Sequence, residues 1–120
     1  MTNPLNFGQV AIDAADAGAL AGFYSRLLER PVGDDASPYF ATIPGDRSFP
    51  TIIFLKVPEE RAGKNRIHLD FLANDPAPHV ERALELGAAH AGEFDEYGTQ
   101  WTTLSDPEGN VFDIGLEHRE

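Results

Sequence analysis

The sequence predicts an α+β fold of two βαβββ modules forming a curved mixed sheet around a concave pocket, and three observations carry that prediction. Residues 67–72 alternate, with Ile67, Leu69 and Phe71 on one side and His68, Asp70 and Leu72 on the other, as a strand with one buried face requires. Residues 9–16 alternate in the same phase, so Gln9 stands 59 positions before His68, and Asp16 stands 59 before Asp75. Each run leads into a helix-compatible stretch and then into two or three short strand patterns. One such module would leave an apolar sheet edge exposed and would not be stable alone, so two are expected to pair, with helices outside and a trough inside.

The elements follow in order. A first strand over 7–14 sets Val10, Ile12 and Ala14 against the core and leaves Gln9, Ala11 and Asp13 on the other face. Asp16 caps a helix in which Leu20, Phe23, Tyr24, Leu27 and Leu28 recur at three- and four-residue spacing. Pro31 ends it. Strands are expected over 39–43 and 51–57, joined by the turn signal Pro44-Gly45-Asp46. The polar stretch 58–65 reads as a linker, which gives modules of approximately 5–57 and 66–117 within one domain of 1–120. Asp75 and Pro76 open a second helix, with His79, Val80, Ala83, Leu84 and Leu86 as its contacts and Gly87 as its close. Further strands are expected over 88–93, 100–104 and 111–116. Asp106-Pro107-Glu108-Gly109-Asn110 suits a type I turn before the last of them. In that strand Asp113 alternates with Phe112 and Ile114 and so points away from the core. Alternation thus places Gln9, His68 and Asp113, from three strands, on the trough face.

Composition narrows the function. The 120 residues are 42% hydrophobic, enough for a core without staples. Nine basic against 20 acidic residues give a net charge of -11, which repels nucleic-acid backbones and anionic membranes. There is no cysteine, so thiolate catalysis, disulfides and cysteine metal sites are excluded. Residues 1–7 lack the pattern of a signal peptide and no long apolar run occurs, so a cytoplasmic protein is expected. No Gly-rich phosphate loop, paired helix histidine motif or nucleophile elbow is present.

Four stretches together resemble a known family. They are Gly-Phe-Tyr-Ser-Arg-Leu-Leu at 22–28, Lys-Asn-Arg-Ile-His-Leu-Asp at 64–70, Leu-Gly-Ala at 86–88, and 101–114 with its Asp-Pro-Glu-Gly-Asn turn. The chain resembles, over nearly its whole length, the vicinal oxygen chelate superfamily of glyoxalase I, extradiol dioxygenases and bleomycin-resistance proteins, most closely its small single-domain glyoxalase-like members. The resemblance implies metal ligands on the first and last strands of each half. Those positions here are Gln9, His68 and Asp113, with Phe54 at the fourth, where coordination is impossible. One amide, one imidazole and one carboxylate suit a divalent ion, Zn, Ni, Mn or Fe(II), with open positions; the other outcome is no metal. The resemblance also implies a homodimer.

Each candidate residue carries two readings. His68 is a metal ligand or acid/base group, or a histidine orienting Asp70. Asp70 is that partner, or a contact for a ligand hydroxyl. Arg66, on the His68 face, meets an anionic ligand group or pairs with one of the many acids. Trp101 stacks on a planar ligand or packs. Phe54, at the offset implied for the trough, makes the cavity more apolar and favours binding over hydrolysis. His79, His90 and His118 read as surface or packing residues. Two functions follow: a small-molecule-binding protein, or a divalent-metal-dependent lyase, isomerase or dioxygenase acting on vicinal oxygens. For the second, no additional carboxylate stands out as a base.

Overall fold

The computed structural model describes residues 3–63, 65–96 and 98–117; of the positions discussed above, His118 lies outside them. The chain divides into two compact units, Met1–Glu60 and Arg61–Glu120.

The first unit holds β1 (Gln9–Ala14), α1 (Ala17–Leu28), β2 (Phe40–Ile43) and β3 (Thr51–Lys56). Asp16 caps α1 as its residue type predicts: its backbone is extended and its Oδ1 accepts from the Ala19 N–H at 3.0 Å. The helix stops before Pro31, because Glu29 turns into the left-handed region at φ 56° and its N–H bonds back to the Ser25 carbonyl. The sheet order is β1-β3-β2, with β1 and β3 parallel and β2 antiparallel to β3. The stripe Leu20, Phe23, Tyr24 and Leu27 buries itself against Ala41, Ile43, Ile52 and Phe54. Tyr24 stacks on Phe54 with centroids 5.9 Å apart, and Phe23 meets Tyr24 edge-on at 4.9 Å. Each large side chain buried here contributes about 2–3 kcal/mol. This module has three strands where up to four were expected. Residues 32–39, rich in Gly, Asp, Ser and Pro, form no strand, in keeping with the low sheet preference of those residues.

The second unit is a complete βαβββ module: β4 (Leu69–Ala73), α2 (Ala77–Glu85), β5 (Ala89–Glu96), β6 (Thr99–Ser105) and β7 (Val111–Leu116). Its sheet order is β4-β7-β6-β5, parallel between β4 and β7 and antiparallel elsewhere. One face carries Leu69, Phe71, Phe112, Ile114 and Leu104, with Phe71 and Phe112 in edge contact at 6.0 Å. The other carries Asp70, Leu72, Asp113, Gly115, Thr103 and Trp101. The strand begins two residues later than the alternation suggests, so Ile67 lies before it and is 82% exposed. Gly87, at φ 116°, ends α2 in a conformation that other residues rarely adopt. Of the contacts expected on α2 only Ala83 is fully buried; Leu84 stays exposed. In the turn, Asp106 accepts from the Glu108 and Asn110 N–H groups through Oδ1 and from the Asn110 amide through Oδ2. That network explains how a carboxylate only 3% exposed is accommodated.

Candidate functional site

The polar groups of the second sheet's open face converge at one place. Asp70 and Asp113 are direct neighbours in the β4–β7 register, so their side chains leave the sheet side by side. His68, just before β4, lays its ring over both: Nε2 is 3.2 Å from Asp70 Oδ1 and 3.2 Å from Asp113 Oδ2. The Thr103 hydroxyl donates to Asp113 Oδ1 at 2.6 Å, which holds the nearly buried carboxylate in one orientation. One donor atom from each of His68, Asp70 and Asp113 lies within 4.8 Å of the others.

Partial burial pushes the Asp70 carboxyl above the ordinary aspartate range; its hydrogen bond with Asp113 and the Asp113 charge push the same way, and His68 pulls it back. The donor set, an imidazole nitrogen and two carboxylate oxygens, is a hard-to-borderline one that suits a divalent cation. Bonds of about 2.0–2.2 Å to a common ion would draw the three groups in only slightly.

The cluster borders a recess of about 260 Å³ lined by His68, Asp70, Leu72, Thr99, Trp101, Asp113 and Gly115. Trp101 forms its aromatic wall, backed by Phe94 in a stack with centroids 5.3 Å apart. Gly115 keeps the floor open: a Cβ there would lie 3.2–3.3 Å from the Gln100 carbonyl, Leu72 Cδ2 and Trp101 Cβ.

A Glyoxalase-like domain profile matches residues 9–115. The chain belongs to the glyoxalase-like family. Within the vicinal oxygen chelate superfamily, its fold is shared with solved structures over nearly the whole chain. A glyoxalase/bleomycin resistance protein/dioxygenase family enzyme from Burkholderia phytofirmans PsJN is 23% identical with a TM-score of 0.77, covering 91% of this chain and 96% of its own. A glyoxalase-related enzyme from Fulvimarina pelagi is 14% identical with a TM-score of 0.74, covering 93% and 88%. A lactoylglutathione lyase from Agrobacterium tumefaciens is 16% identical with a TM-score of 0.69, covering 95% of both chains. At these identities the likeness shows the fold alone. No curated protein matches the sequence.

Measured against this glyoxalase-like fold, the expected site residues divide. His68, Asp70, Trp101 and Asp113 border one recess. Gln9 is exposed on the β1 face that it shares with Ala11 and Asp13, in the first unit. Arg66 is exposed and outside the recess lining. Phe54 is a correction. It lies on the helix-facing side of β3, fully buried against Tyr24, and so is a core residue and no wall of a trough. The β1 residues pair 42 positions along the chain and the β4 residues 43, as in Ile12 with Phe54 and Asp70 with Asp113. With a side-chain period of two, that single residue turns a fixed offset of 59 onto the wrong face. The true counterpart of Asp113 is Ile53, the partner of Ala11. Asp70, read from the sequence as a partner of His68 or a contact for a ligand hydroxyl, also stands as a second carboxylate beside Asp113; that adjacency depends on strand register. Thr103 was missed, although its place two residues from Trp101 on the same strand face could have nominated it. His79 sits beside Arg82 at 3.5 Å, and His90 beside Glu93 at 3.3 Å.

Proposed function

We propose that this glyoxalase-like protein binds a small molecule on the open face of its second sheet, anchored at His68, Asp70 and Asp113 and packed against Trp101 and Leu72. The observation that supports it is the convergence of three polar side chains at one side of a recess whose remaining walls are an aromatic ring, an aliphatic chain and an open glycine floor. Polar groups fix orientation and apolar walls supply affinity. Fragment screening by heteronuclear NMR tests it: saturable shifts at Asp70, Leu72, Trp101 and Gly115 are expected. A diverse library that moves none of them refutes the reading.

A second reading, a metal-dependent lyase, isomerase or dioxygenase, is favoured by the crowding of the two carboxylates, which a cation would relieve. His68, Asp70 and Asp113 would hold the ion. A bound divalent ion would act as a Lewis acid on neighbouring substrate oxygens. The chain's own part is then positional: Thr103 orients Asp113, Trp101 orders a planar substrate, and Leu72 with Trp101 limits water. Metal content by mass spectrometry decides between the readings, on wild type and His68→Ala purified without chelator. About one equivalent in the wild type and none in the variant carries the second; a wild type that is metal-free and takes up no added zinc, nickel, manganese or iron(II) refutes it. We extend the proposal to a cytoplasmic homodimer; no described helix is long and apolar enough to cross a membrane.

A further inference from the structure

A larger groove, of about 680 Å³, lies on the other side of the same sheet, between the start of α2 and strands β5 and β6. Its size falls within the range of about 300–1,000 Å³ usual for small-molecule sites. Among the described residues, Trp101 alone borders both cavities. The apolar part is built from Pro76, Ala77 and Val80 of the helix segment and Ile114 of the sheet. Ile114 is buried at the groove's floor, but α2 buries only Ala83 completely, so an apolar strip of Pro76, Ala77 and Val80 keeps surface toward the groove. Around that strip stand four carboxylates, Asp75, Glu81, Glu93 and Asp95, and among the described residues no lysine or arginine lines the groove. All four are exposed. Among the described residues His90 is the one potentially cationic lining group, and it already meets Glu93 at 3.3 Å.

We infer that this groove binds a small organic cation, a protonated amine carried on an apolar or aromatic body. The charge complementarity commits the occupant. An apolar body covers Ala77, Val80 and the exposed Phe94 ring, while the ammonium meets the carboxylates at the rim. The net charge of -11 concentrates cations near the surface and repels anions. The amino-terminal turn of α2 opposes this, since a helix start favours an anion, and four acids outweigh it.

Three indoles that differ in charge test the proposal on the full chain: tryptamine, its neutral alcohol counterpart tryptophol, and indole-3-propionate. Followed by heteronuclear NMR, tryptamine is expected to give saturable shifts at Val80, Glu81, Glu93, Asp95 and Thr102, tryptophol weaker ones, and indole-3-propionate none. Glu93→Gln combined with Asp95→Asn is expected to weaken tryptamine about tenfold, from two exposed ion pairs at up to about 1 kcal/mol each. Glu81→Lys, on another element, should do likewise, and His68→Ala should leave groove binding unchanged. Equal shifts from tryptamine and tryptophol, equal affinity in the variants lacking carboxylates, shifts spread over the whole acidic surface without saturation, or a silent groove would each overturn the inference.

Discussion

Replacing Asp70 by asparagine tests the crowded carboxyl pair directly. In the native protein Asp70 holds its proton more tightly than an ordinary aspartate, whose value is 3.8, because of partial burial and the neighbouring Asp113. The native state therefore binds more protons than the unfolded state between that value and the raised one. Stability falls as pH rises through this window, and the penalty is complete above it. The donor atoms lie within 4.8 Å of each other, and the Asp70 side chain is 62% exposed. A water-like dielectric is thus appropriate, and the repulsion amounts to about 1 kcal/mol. Asparagine keeps the shape, can donate a hydrogen bond to Asp113 and carries no charge. With chelator present, urea denaturation at neutral pH should find Asp70→Asn about 1 kcal/mol more stable than wild type, a rise in melting temperature of about 4 °C. The advantage should vanish below the ordinary aspartate value, where Asp70 is protonated in both the folded and the unfolded state. An advantage independent of pH, or a variant less stable at neutral pH, would refute the reasoning. The second functional reading adds a reversal: if the cluster holds a cation, saturating metal stabilises the wild type and leaves Asp70→Asn behind.

Phe54→Ala should cost about 3–5 kcal/mol in urea denaturation, because it empties the space beneath Tyr24 in the first core. A loss under about 1 kcal/mol would contradict its place there. Gly115→Ala should abolish or sharply weaken binding of any fragment found in the recess, since the added Cβ would crowd Leu72 and Trp101 at 3.3 Å. Overpacking should also lower stability by about 1–3 kcal/mol. Undiminished fragment affinity would show that the glycine floor does not shape the site.

The sequence by itself determined most units of this protein: where its main strands and helices lie, where α1 is capped, and which face of β1, β4 and β7 is apolar. Those features depend on residues close in the chain, such as Asp16 with Ala19, or Phe112, Asp113 and Ile114 in succession, and local spacing records them. The tight turn at Asp106 was legible for the same reason. Tertiary structure decided what depends on register between strands far apart in sequence. It made Asp70 the neighbour of Asp113, and it put Phe54 into the core, because one residue more in the second module reverses the face that a constant offset would predict. It also decided that two strands, and not three, follow α1, and it left the open groove beside α2; both depend on how completely one element covers another. Pairing and coverage are properties of packed surfaces, and no periodicity within a single segment encodes them.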